Sequence, residues 1–122
     1  MHVVAHAASA VPFLLMGCPL GAVGCVAPDV GWLKHEWRLV CGGWRPDLYL
    51  GTLRESDLTL YRFTHSLLLV AVVSFVSVPF ALGMLVHVAL DLPTHGGPIA
   101  HRPLWPLRWM WPKALRMKGH QW

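Results

Sequence analysis

Two apolar stretches, with polar text between and after them, organise the chain. Ser66 to Leu90 contains 25 residues with no Asp, Glu, Lys or Arg. A membrane-crossing helix needs about 20 such residues, so this run is a candidate transmembrane span by length. Val3 to Ala27 is equally free of those charges, but Pro12, Gly17, Pro19, Gly21 and Gly24 interrupt it. It reads as two helical pieces with a turn near GCPLG. Ala27 to Asp47 reads as loop and short helix. From Leu48 to Phe63 leucines alternate with charges, the pattern of an amphipathic helix lying along an interface. Pro79 removes a hydrogen bond and clashes with the turn before it, so the second apolar run must kink or stop near Ser77-Val78. From Pro93 to Pro112 five prolines and two glycines predict an irregular strap and a short interfacial piece. The expected fold is all-α: one domain over 1–122, a small integral membrane helical bundle of short, back-folded apolar hairpins with a Trp/Arg-rich C-terminal tail.

Composition supports a lipid-facing surface, with 55% hydrophobic residues against 13% charged. The formal net charge of +4 comes from a central cluster (Lys34, Arg38, Arg45, Arg54, Arg62) and a tail cluster (Arg102, Arg108, Lys113, Arg116, Lys118). Tryptophans 105, 109 and 111 interleave with the tail charges. Indole with basic side chains suits a membrane interface, so membrane lipid is the expected partner and nucleic acid is not. Protein partners are not specified by any motif. The first basic residue apart from histidine is Lys34, which argues for a retained segment rather than a signal peptide. Cys18, Cys25 and Cys41 form no C-x-x-C pair and cannot all be bridged within the chain, so they are expected to be reduced and mostly packed.

Histidines and carboxylates gather at the ends of the apolar stretches: His2 and His6, Asp29, His35 and Glu36, His65, and His87 with Asp91. His87 and Asp91 are spaced i, i+4 and share a helix face. A straight helix would hold His65 and His87 about 33 Å apart at 1.5 Å per residue. A reversal near Pro79 instead brings THS and HVALD to one level, and a reversal near GCPLG returns Asp29 to the level of His6. His6, Asp29, His65, His87 and Asp91 then form a divalent metal site. Mixed nitrogen and oxygen ligation suits zinc, with manganese or iron as alternatives, and carboxylates allow a bridged pair of ions. Plainer roles stand beside this one: Thr64 or Ser66 as a helix cap, and His87 with Asp91 as a solvated helix end.

FTHSLL, HVALDLPTHGG and PLWPL together resemble the YdjM-like family of membrane-bound metal-dependent hydrolases. In that family a His near the N-terminus, a PD motif, a THS motif and an H…D helix recur in this order. Here these are His6 (or His2), Pro28-Asp29, Thr64-His65-Ser66, and His87 with Asp91, over most of residues 2–107. Gly31 replaces the family's second Asp, for which His35 or Glu36 is a substitute, and the interval from His65 to His87 is short for two full spans. The resemblance implies hydrolysis by metal-activated water, with Asp29 or Glu36 taking the proton. Arg62 and His95 are the candidate substrate-binding residues, Arg62 for an anionic group such as phosphate. A lipid, phosphoester or other membrane-associated ester or amide is the implied substrate class. The alternative is a non-catalytic small membrane subunit with a structural metal site or none. With back-folded hairpins both basic clusters lie on one side, so the site is expected on the cytoplasmic side of the membrane, in a bacterium the inner membrane.

Overall fold

Proline, glycine and serine decide where the apolar stretches turn. The computed structural model describes residues 2–42, 53–93 and 102–107, and the regular elements among them are all helical. Helix α1 (His2–Leu15) continues through Pro12 rather than breaking there. It ends at Gly17, whose φ of 67° lies in the left-handed region open to glycine. The N–H of Gly17 donates to the Leu14 carbonyl and that of Cys18 to Phe13, which satisfies the last carbonyls of the helix. Pro19 then opens α2 (Pro19–Gly24), where its missing N–H costs nothing. A 3-10 helix (Ala27–Trp32) leads into α3 (Leu33–Cys41).

The second reversal uses the same devices. α4 (Glu55–Thr64) ends at His65, and Ser66 caps α5 (Leu67–Ser74) by accepting the Leu68 N–H at 3.1 Å. After Phe75 and Val76, Ser77 caps α6 (Val78–Asp91), and Pro79 sits in its first turn. Pro79 thus starts a helix rather than kinking one. The apolar run from Ser66 is accordingly two helices, and no helix among the described residues is long and apolar enough to cross a membrane. This corrects the expected transmembrane helix: the chain reverses before it has gone far enough.

α2 and α6 pack against each other at glycines. A Cβ on Gly83 would run into the Gly21 carbonyl oxygen, and one on Gly24 into that of Phe80. The two backbones therefore touch. α1 closes on this pair through Ala10 and Phe13 against Ala22 and Cys25. α5 closes on the other side, with Val70 buried against Ala81 and Met84.

The stretch expected to lie along a membrane buries part of its apolar face within the protein, while Leu60 and Phe63 stay exposed. Leu58 and Tyr61 of α4 are buried with Trp32 and Leu53, because the 3-10 helix covers them. Residues 48–52 lie outside the described residues. Asp57, buried in the first turn of α4, accepts the Arg54 N–H at 2.9 Å and both terminal nitrogens of Arg38, tying α3 to α4. Arg38, counted above among charges for a lipid surface, is held by this pair.

Arg102–Leu107 form the described part of the strap. The Leu67 N–H donates to the Pro103 carbonyl at 2.7 Å and the Ser66 hydroxyl to that of Trp105 at 2.8 Å. The tail from Arg108 onward lies outside the described residues. All three cysteines are free; Cys25 is buried and Cys18 half-buried, but Cys41 is exposed rather than packed.

Two outcomes follow from this packing. Gly83→Ala is expected to cost about 2 kcal/mol or more, because its methyl meets backbone. Gly31→Ala meets only side chains, those of Leu60 and Thr64, and should cost far less; equal losses in thermal unfolding would contradict the contact. The second concerns acid. Hydrogen bonds from Arg38 hold the Asp57 carboxyl below its ordinary value, against burial, which raises it. Stability from a lowered carboxyl is complete above the unfolded value of ~3.9 and is lost as pH falls through the native one. Denaturation midpoints of the unchanged protein and Asp57→Asn should differ by a steady amount above about pH 5 and converge only as pH falls below ~3.9 and through the native value, whereas a gap that stays constant into acid would contradict the pairing.

Candidate metal centre

The cluster of polar groups sits where four parts of the chain meet, and each part delivers its side chain by a local rule. His6 projects from the second turn of α1 and Asp29 from the 3-10 helix. His65 is the residue at which α4 ends, just before the Ser66 cap. His87 and Asp91 lie one turn apart on α6. His87 also falls four residues after Gly83, as Cys25 does after Gly21. The glycine contact between α2 and α6 thus continues into a hydrogen bond between His87 Nδ1 and the Cys25 carbonyl at 2.6 Å.

Ligand atoms from His6, Asp29, His87 and Asp91 all lie within 4.8 Å of one another, close enough that together they could hold a metal ion. His65 joins them: its Nε2 is 3.0 Å from His87 Nε2, 3.3 Å from Asp91 Oδ2 and 3.7 Å from Asp29 Oδ1. His87 Nε2 lies 3.4 Å from Asp91 Oδ2 and 3.5 Å from Asp29 Oδ1. Asp91 turns its other oxygen, Oδ1, to His6 Nε2 at 3.0 Å, and the His6 ring stacks on His87 with centroids 3.7 Å apart.

Hydrogen placement shows what the cluster needs. His65 Nδ1 lies 2.9 Å from the Tyr61 carbonyl, as His87 Nδ1 lies against that of Cys25. A carbonyl only accepts, so both Nδ1 atoms carry the hydrogen and both Nε2 atoms of neutral rings present lone pairs. Two lone pairs 3.0 Å apart, facing two carboxylates, call for a positive charge between them. A metal ion could supply it, and anchored Nδ1–H groups are how ligating imidazoles are oriented.

Without a metal, protons take the same place. Burial alone would lower the His87 imidazole, but hydrogen bonds and charge from Asp29 and Asp91 outweigh it and raise the group to about 9. Burial would raise the Asp29 carboxyl, yet hydrogen bonds from His65 and His87, with their charge, hold it well below the usual carboxylate range. Both shifts describe one field, favourable to cations. Cys25 is unsuited as a further ligand. Burial pushes its thiol up, with the hydrogen bond to the Ser9 carbonyl as the smaller, opposing influence.

Asp29 alone opens the cluster to solvent. Its side chain is 24% exposed, while those of His6, His65, His87 and Asp91 are at 2% or less. The five expected metal residues therefore meet in one place. The other expected residues fare differently. Arg62 is paired with Glu55 along α4 at 2.9 Å. The side chains of Glu36 and His2, and all of His95, lie outside the described residues. His35, the substitute for the second Asp of the PD motif, is buried with its Nδ1 3.3 Å from Arg38 and 4.0 Å from Asp57. Sequence reasoning missed the carbonyls of Tyr61 and Cys25, which carry no side-chain signal; the recurring glycines at 21, 24 and 83 were the nearest clue to the second.

Family models, curated protein sequences and solved structures were compared with the chain, and none matches.

If the cluster binds a cation, zinc should raise the unfolding temperature, by linkage worth about 2.7 kcal/mol at a hundredfold excess over Kd. Asp91→Asn, which touches both ends of the cluster, is expected to abolish that rise, whereas Ser56→Ala, exposed on α4, should leave it intact. A full zinc response in Asp91→Asn would contradict the site.

Proposed function

We propose that this protein is a metal-dependent hydrolase acting on an ester or phosphoester of a membrane-associated molecule, as its resemblance to the YdjM-like family implies. The observation that carries the reading is the convergence of three imidazoles and two carboxylates at a buried point with one side open at Asp29. A closed site of four ligands suits a structural ion, whereas an open side lets water and substrate approach. The donor set fits zinc, manganese or iron.

A divalent ion there supplies Lewis acidity, which activates water and neutralises developing negative charge. The chain's own residues do the rest. His65 and His87 are locked by backbone carbonyls with their Nε2 atoms inward. Asp91 presents an oxygen to each side of the cluster, the disposition a bridging carboxylate needs. Asp29 is the one member that both reaches the cluster and meets solvent. It would be placed to accept a proton from a water entering on that side if an ion were held by the other four residues. Arg62, one turn before His65 and paired with Glu55, is the candidate for holding an anionic group.

A second reading has its own support: the cluster joins α1, the 3-10 helix, the α4–α5 junction and α6, so an ion there could serve only as a clamp. The test separates them. Protein loaded with zinc or manganese is assayed on micellar phosphodiesters and carboxyl esters beside Asp29→Asn. Hydrolysis that chelation abolishes, and that falls about 100-fold or more in Asp29→Asn, is the expected result. Stoichiometric metal with no hydrolysis of either class would leave the clamp.

A further inference from the structure

The polar cluster occupies one end of the bundle. α2 and α6 run in the same direction, since Gly21 meets Gly83 where Cys25 meets His87, and α1 and α5 run back along them. Both reversals therefore lie at the opposite end. That end is apolar and open to its surroundings: Leu15 is 83% exposed, Met16 70%, Phe75 91% and Val76 88%. Every Asp, Glu, Lys and Arg lies outside 3–27 and 66–90, the segments that build the hairpins. Such an end is unfavourable in water, since large exposed apolar residues that neighbour one another mark a contact surface.

Length indicates what covers it. His6 to Leu15, His65 to Ser74 and His87 to Val78 are each about nine residues, or ~14 Å of helix. One leaflet of hydrocarbon is about 15 Å deep, half of the ~30 Å core. Three arms of equal reach thus match a single leaflet, with the imidazoles at the level of headgroups and ester linkages. Arg62, one turn before His65 on α4, stands at that polar end, where lipid phosphates lie.

We infer that the two hairpin tips, Leu15-Met16 and Phe75-Val76, insert into the acyl region of one bilayer leaflet without crossing it, holding the metal cluster at the headgroup level of the same leaflet. The insertion is read from exposure and length; its bearing on substrate, a lipid reached sideways from that leaflet, rests on the hydrolase reading above.

The test places a spin label on cysteines introduced at Leu15, Phe75 and Ser56 in a background of Cys18→Ala, Cys25→Ala and Cys41→Ala. The protein is reconstituted in vesicles of phosphatidylcholine and phosphatidylglycerol, and collision with oxygen and a nickel chelate gives depth. Labels at 15 and 75 should lie about 10–15 Å below the phosphates, within one leaflet, and the label at 56 in water. In the unaltered background, Leu15→Asp with Phe75→Asp should weaken vesicle co-sedimentation at least tenfold while zinc binding stays unchanged. Tip labels in water would overturn the inference, as would a label at 75 reached by an impermeant reductant from the far side. Tips shielded by a second copy in solution, without lipid, would overturn it too. Failure of insertion with zinc still bound leaves the hydrolase reading standing; loss of zinc binding with insertion intact does the reverse.

Discussion

Two imidazole nitrogens that face each other at 3.0 Å, each with its other nitrogen fixed to a backbone carbonyl, set the terms for the rest of this molecule. Buried lone pairs cannot be left opposed, and the carboxylates around them add negative charge to the same point. The centre is stable only with protons or a metal ion at its middle. Asp29 held low and His87 held high are the proton-filled form of that requirement.

The bundle exists in the shape that brings these groups together. Each hairpin reverses after a short arm, so residues distant in the chain return to one end. The contact of α2 with α6 needs glycine at 24 and 83, and the same contact carries the Cys25 carbonyl to His87. Side-chain volume added at the glycines would therefore act on the polar centre as well as on the core. On the other flank, Asp57 and Arg38 fasten α3 to α4, and α4 delivers the Tyr61 carbonyl and His65.

The meeting of His65 and His87 was legible in the sequence because charge-free arms of matched length surround Pro79, and a reversal was one of the two outcomes that proline allows. The sequence left a single kinked span open, since apolar helices facing lipid and facing one another have the same composition. Serine at 77 is the local feature that resolves it, through a cap on the Phe80 N–H. The leucine and charge pattern before Phe63 was ambiguous for a similar reason: an amphipathic helix buries its face equally well on lipid or on Trp32, and here Trp32 covers Leu58 and Tyr61 while Leu60 and Phe63 stay exposed. Arg38 illustrates the limit of charge counting, because its partner, Asp57, lies 19 residues away across a turn of the fold. Carbonyl partners of the imidazoles could not be foreseen at all, as every residue has one.

X-ray absorption at the zinc edge of the zinc-loaded protein tests the central claim most directly. The account predicts nitrogen and oxygen neighbours at about 2.0–2.1 Å, with the outer-shell scattering of more than one imidazole. Sulfur at ~2.3 Å from a cysteine, or the spectrum of hydrated zinc, would contradict it.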